Sequence, residues 1–83
     1  MKILYFAWLR ERVGLPEETL DPPETVRTVA DLARWLAARD EAHASAFTDP
    51  AVVRAALDRR HVKPDTPLAG AREVAFFPPM TGG

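Results

Sequence analysis

Phe76-Phe77-Pro78-Pro79 sets the strictest limit on what this chain can fold into, because an apolar strand must end where two adjacent prolines begin. Proline has no backbone N–H and holds φ near the polyproline value, so a sheet cannot carry its ladder past Phe77 and the chain beyond is held extended. Only Met80-Thr81-Gly82-Gly83 follows. From Pro78 to Gly83, at about 3.3–3.6 Å per residue, the tail reaches roughly 20 Å from the body. Glycine has no Cβ, so Gly82 and Gly83 can enter a channel too narrow for any side chain and bring the backbone first to a reactive centre. The chain thus divides into a domain over 1–77 and an extended tail over 78–83, with the terminal carboxylate at its tip.

Composition narrows the partners. Eighty-three residues, 47% hydrophobic and 28% charged with a net charge of -1, make one small globular domain with a thin core. Lys2 and Lys63 are the two lysines and the arginines are interleaved with acids, so the clustered cations that phosphate binding requires are missing and nucleic acid is not an expected partner. The short basic run Arg59-Arg60-His61-Val62-Lys63 reads first as a solvated strand face and second as a docking patch for an acidic partner. With no cysteine there is no disulfide, thiolate ligand or thiol nucleophile, so any sulfur handled by this chain is handled without a thiol. Arg10, Glu11 and Arg12 interrupt the apolar start before a signal peptide or membrane span could form, which predicts a cytoplasmic protein with no membrane partner.

Along the chain, Lys2 to Trp8 is predicted as a strand with two apolar faces, Ile3, Tyr5 and Ala7 on one and Leu4, Phe6 and Trp8 on the other. A small domain buries one of these sets; the second belongs either to a central strand or to a partner contact. Gly14-Leu15-Pro16 marks a turn, and Glu17 to Leu20 pairs back as a hairpin. Thr28 with Asp31 forms a capping-box variant opening a helix over about Val29 to Arg39, whose Val29, Leu32, Trp35 and Leu36 make an apolar stripe. From Asp49-Pro50 to Leu57 two readings compete: a helix, from the capping Asp and the first-turn proline, and a strand over Val53 to Leu57. After a turn at Gly70, Arg72 to Phe77 is the last strand, with Val74 and Phe76 on one face and Ala75 and Phe77 on the other.

No catalytic template finds its parts in the body. Ser45 has no nucleophile elbow around it, and the carboxylates Glu11, Glu17, Glu18, Asp31, Asp40 and Asp58 have no evident pocket. His43 and His61 lack further metal ligands and read as surface histidines. Gly82-Gly83 is followed by no helix and is not a phosphate loop. What is left is chemistry on the terminal carboxylate itself, a poor electrophile that an ATP-using partner must activate, typically as an acyl adenylate. The competing reading is a frayed end without function.

Two motifs, Tyr5-Phe6-Ala7-Trp8-Leu9-Arg10-Glu11 with Gly14, and Glu73-Val74-Ala75-Phe76-Phe77-Pro78-Pro79-Met80-Thr81-Gly82-Gly83, give the chain a resemblance, over essentially its whole length, to the small subunits of molybdopterin synthase (MoaD), a family of ubiquitin-like sulfur carriers. The resemblance implies an α+β, ubiquitin-like β-grasp fold, a mixed sheet packed on one main helix with a flexible C-terminal tail, and favours the strand over Val53 to Leu57. It implies a noncatalytic, sulfur-donating subunit of a heteromeric enzyme, with no bound cofactor and no metal. An E1-like activating enzyme would use ATP to adenylate Gly83, a sulfur donor would convert it to a thiocarboxylate, and the tail would deliver the sulfur to cyclic pyranopterin monophosphate inside the synthase large subunit, in a heterotetramer of two small and two large chains. Gly82 is then the slender approach to Gly83, and Phe6, Phe77, Pro78, Pro79, Met80 and Thr81 are expected to contact the partner. Phe76 reads as core. His61 stands where the family would place an apolar residue, and the turn Ala69-Gly70-Ala71-Arg72 lacks the acidic residues common before the last strand. The alternatives are the sulfur carrier of thiamine biosynthesis and a ubiquitin-like modifier conjugated through Gly83.

Overall fold

The computed structural model describes residues 1–79. Among them, β1 (Lys2–Tyr5), β2 (Glu17–Thr19), β3 (Arg54–Leu57), β4 (Arg60–Val62) and β5 (Glu73–Phe77) form one sheet in the order β2-β1-β5-β3-β4. β1 and β5 run parallel at its centre, and the remaining pairings are antiparallel. Three helices, α1 (Trp8–Val13), α2 (Val29–Ala37) and α3 (Glu41–Ala46), contribute the buried side chains that pack on one face. This is the mixed α+β sheet of a β-grasp, with α2 as its longest helix.

The register decides which side chains meet those helices. Ile3 lies opposite Val74, Tyr5 opposite Phe76, and Phe76 opposite Ala55, so one phase of each strand points to the helices. Ile3, Tyr5, Leu9, Leu32, Leu36, Val74 and Phe76 are all essentially inaccessible. Burying each large apolar side chain contributes about 1.5–3 kcal/mol, which is how a thin core holds. Phe76 is the hub of an aromatic cluster, edge-on to Phe47 at 5.0 Å and stacked with Tyr5 at 6.5 Å between ring centroids.

Thr28 caps α2 as predicted: the Asp31 N–H donates to Thr28 Oγ1 at 3.1 Å and the Thr28 N–H donates back to Asp31 Oδ2 at 3.2 Å. The helix closes at Ala37 rather than Arg39. The competing signals at 49–57 are both used, because Pro50–Val52 makes one 3-10 turn and the chain then enters β3 at Arg54, one residue after the expected start. Local helix preference lasts only until pairing with β5 and β4 satisfies the backbone.

Two expectations fail. The first strand ends at Tyr5 instead of Trp8, and although β2 pairs back on it antiparallel as expected, the connection carries, ahead of the turn at Gly14-Leu15-Pro16, a helix, α1, whose buried Leu9 and Val13 are spaced i, i+4 and whose end is Gly14 at φ 89°. The change of direction falls on Ala7, at φ 55°, a conformation that costs a non-glycine residue and that nothing in the local sequence announces. The short helix α3 was likewise not expected, although Asp40 caps it by accepting the His43 N–H at 2.8 Å.

Candidate functional site

Among the described residues no helix covers the other phase of the strands. Reading across the sheet from β2 to β4, Glu17, Leu4, Ala75, Ala56 and His61 form one row on this open face, and Phe77 lies opposite Arg54 in the next. Leu4, Ala75 and Phe77 are half-buried, while Ala56 is only 6% exposed although it lies outside the helix-side core. Strands β5 and β4 flank β3 and so lie about 9–10 Å apart, yet the rings of Phe77 and His61 approach to 4.9 Å between centroids. Both side chains therefore lean across β3, above the small Ala56, and this accounts for its burial. His61 is exposed, as expected.

The expected contact residues that fall within the described part come together here. The Phe6 N–H donates to the Phe76 carbonyl at 3.0 Å, extending the parallel ladder one rung beyond β1 and setting Phe6 beside Phe77. Ala7 then turns the chain away into α1, and Phe6 is left 50% exposed. Phe76 points to the helices and Phe77 to the open face, a separation that follows from strand alternation alone. The ladder stops at Phe77, and Pro78 and Pro79 follow it half-buried. Met80, Thr81, Gly82 and Gly83 lie outside the described residues.

The origin of the tail strand is secured from the β3–β4 hairpin. Asp58 and Arg59 both have positive φ, the backbone of a two-residue primed turn, and Asp58 Oδ1 accepts the N–H groups of Arg72 and Glu73 at 3.0 Å each. The 69–72 turn carries no acid of its own, and Asp58, at the end of the neighbouring strand β3, brings a carboxylate to the backbone where the turn enters β5. That turn is closed by the Ala71 N–H to the Leu68 carbonyl at 2.8 Å, with Ala69 and Gly70 at positive φ.

His43, read as a surface residue, is buried on the helix side. Its Nε2 lies 2.6 Å from Glu18 Oε2 and its Nδ1 2.8 Å from Asp40 Oδ1, while the Tyr5 hydroxyl donates to the same Glu18 oxygen at 2.7 Å. Burial opposes charge on His43, but hydrogen bonds to Glu18 and then Asp40 outweigh it and raise its pKa above the ordinary 6.5. Burial also acts to raise Glu18, and the bonds from His43 and Tyr5 bring it to a net position below 4.5. Asp40 is lowered by the His43 backbone N–H first and its ring second, and the Tyr5 hydroxyl is raised by burial and then by Glu18. With a carboxylate at each ring nitrogen, His43 thus ties β2 to the start of α3. Asp40 three residues before His43 was a visible signal; Glu18, twenty-five residues away, was not.

The network is a structural clip, for its groups satisfy one another. The cleft of about 240 Å³ between α2 and the β3–β4 half of the sheet is lined by groups such as Ala33, Ala37, Val53, Val62 and Phe76, with no carboxylate, histidine or hydroxyl side chain. Among the described residues nothing assembles a reactive centre.

Comparison with known proteins agrees with this arrangement. The model of the ThiS family matches residues 3–83. The chain is 41% identical over 85 aligned positions to the molybdopterin synthase sulfur carrier subunit of Escherichia coli (strain K12), covering 100% of this chain and 99% of that protein. It is 33% identical to the subunit of the same name from Chlamydomonas reinhardtii, covering 100% and 98%. Among solved structures, a Pyrococcus furiosus chain assigned as subunit 1 of a molybdopterin converting factor superposes with a TM-score of 0.74 at 30% identity, over 95% of each chain. SAMP1 from Haloferax volcanii shares the fold, with a TM-score of 0.72 at 24% identity over 100% of this chain and 98% of that one. The chain belongs to the ThiS family, as a relative of the molybdopterin synthase sulfur carrier subunits that its two end motifs resemble.

Proposed function

We propose that this chain is the sulfur carrier subunit of a molybdopterin synthase and works through a thiocarboxylate on Gly83. The observation that carries the reading is that an exposed Phe6 and a half-buried Phe77 stand at the end of the central parallel strand pair, at the point where the last strand gives way to Pro78-Pro79 and a sequence ending Gly82-Gly83. The apolar face docks on the large subunit, with Phe6 and Phe77 as aromatic anchors of the kind that dominate interface energies. Pro78 and Pro79 direct the tail and limit its conformations, which lowers the entropy lost on insertion. Met80 and Thr81 line the entrance, and Gly82 lets Gly83 reach the large subunit's active site.

The chemistry takes place on other chains. An E1-like enzyme uses ATP to adenylate the Gly83 carboxylate, and a sulfur donor displaces AMP to leave the thiocarboxylate. In the large subunit that sulfur passes to cyclic pyranopterin monophosphate, toward the dithiolene of molybdopterin. The carrier contributes position and no catalytic group, and binds no cofactor; two carriers and two large subunits make the assembly, in the cytoplasm. Incubating the thiocarboxylated chain with the large subunit and the pterin precursor is expected to yield molybdopterin. A chain lacking Gly83 should melt like the parent and yield none; full product from the truncated chain would refute the proposal. Transfer of the sulfur to a thiazole synthase instead, or attachment of Gly83 to lysines of other proteins, would assign the chain to the thiamine carriers or the protein modifiers.

A further inference from the structure

The basic run 59–63 has no role in the docking just described, yet its middle residue touches the proposed anchor Phe77. His61 and Arg54 are diagonal neighbours on the open face, since His61 lies opposite Ala56 and Arg54 lies two residues before Ala56 on the same strand, opposite Phe77. The ring of His61 lies against that of Phe77, so a partner that covers the phenylalanine also meets the imidazole. Among the described residues neither of its ring nitrogens has a hydrogen-bond partner, and Arg54 makes no ion pair, its Nη1 donating only to the Ala51 carbonyl at 2.9 Å. Arg59, Arg60 and Lys63 add positive charge to this edge; of the acids near it, Asp58 is engaged by the Arg72 and Glu73 N–H groups, Asp49 by the Ala51 N–H, and Asp65 follows beyond the end of β4. The opposite edge carries Glu17, paired with Lys2 at 3.4 Å.

Docking over Phe77 strips water from His61 and Arg54 together. A polar ring and a guanidinium left unpaired in an interface weaken it, and in a field of this sign the group that satisfies both is an acceptor bearing negative charge. We propose that the large subunit presents an aspartate or glutamate side chain to the notch between His61 and Arg54, and that this carboxylate fixes which way round the carrier sits on its partner. The proposal rests on the sulfur-carrier reading. It adds a polar specificity element to an otherwise apolar contact, and such elements discriminate between partners more than they add affinity.

The test is the affinity of the purified large subunit for the full-length chain and for Arg54→Glu, Arg54→Lys and His61→Leu, across a range of salt concentrations, with thermal melts as a check on folding. Leucine keeps an apolar group against Phe77 and removes the ring nitrogens. We expect His61→Leu to weaken binding about tenfold, Arg54→Glu to weaken it more, Arg54→Lys to retain most of it, and the parent's binding to fall with salt more steeply than that of Arg54→Glu. Binding by His61→Leu as tight as the parent's, together with a parent affinity insensitive to salt, would overturn the proposal. An effect seen only on binding to the activating enzyme would also overturn it, by moving the carboxylate to that partner. Failure of the unaltered chain to bind the large subunit at all would refute the carrier reading itself, a result distinguishable from the others because no substitution is involved.

Discussion

The two histidines of this chain stand on opposite sides of one sheet and are treated in opposite ways. On the helix side, His43 is buried with both ring nitrogens engaged by Glu18 and Asp40, inside a network in which the Tyr5 hydroxyl is also satisfied. On the open side, His61 is exposed, held by a ring contact with Phe77, and has no hydrogen-bond partner among the described residues. The same side-chain chemistry serves folding where its partners are internal. Where its polar atoms are left over, it is available to another molecule. The faces differ in the same way: the helix side buries Phe76 within its aromatic cluster, and the open side leaves Phe6 exposed and Phe77 half-buried next to Pro78.

Neighbouring phenylalanines give the largest test of that contrast. Phe76→Ala removes the hub of the aromatic cluster and should lower stability by about 3–5 kcal/mol, read from urea unfolding. Phe77→Ala should leave the unfolding midpoint close to the parent's while weakening capture by the large subunit. Equal destabilisation by both substitutions would mean that the open face is also core, and would break the comparison.

A smaller effect is expected at His43. His43→Leu leaves the partly buried Glu18 carboxylate with the Tyr5 hydroxyl as its remaining donor, and losing a hydrogen bond to a charged group costs about 1.5–3 kcal/mol. His61→Leu should be nearly neutral for folding. A His43 variant as stable as the parent would show that the network contributes nothing net.

Smaller again is a drift with pH. The pKa of His43 is raised on folding, so its contribution is complete below the unfolded value near 6.5 and is lost as pH rises through the folded value. The pKa of Glu18 is lowered, so its contribution is present above about 4.5 and is lost as pH falls through the folded value. Stability should therefore be greatest between about pH 4.5 and 6.5 and decline on the alkaline side, and His43→Leu should remove that alkaline decline. An unchanged alkaline slope in the variant would place its origin elsewhere.

Much of this division was legible in the sequence where the determinants are local. The Thr28–Asp31 box spans one helical turn, and the Val74/Phe76 and Ala75/Phe77 phases follow from strand alternation. The ThiS-family match and the β-grasp sheet agree with the resemblance read from the two end motifs. What was not legible depends on long-range contact or on backbone that sequence does not encode simply. The run Lys2 to Trp8 reads as one strand, and only the positive φ at Ala7 divides it, although Leu9, Val13 and Gly14 carry a helix signal that the run obscures. His43 looked superficial because Glu18 reaches it only once β2 has paired with β1. Asp58 reads in the sequence only as a carboxylate without an evident pocket, and its hold on the start of β5 becomes visible only in the sheet.

The central claim is that the working atom of this chain is the terminal carboxylate of Gly83 and that the body serves to present it. Intact-mass measurement after incubation with the activating enzyme, ATP and a sulfur donor tests this most directly. The account predicts a gain equal to the replacement of one oxygen by sulfur, localised to Gly83 by fragmentation and absent when Gly83 is deleted. An unchanged mass under conditions where the enzyme activates a known carrier would contradict it.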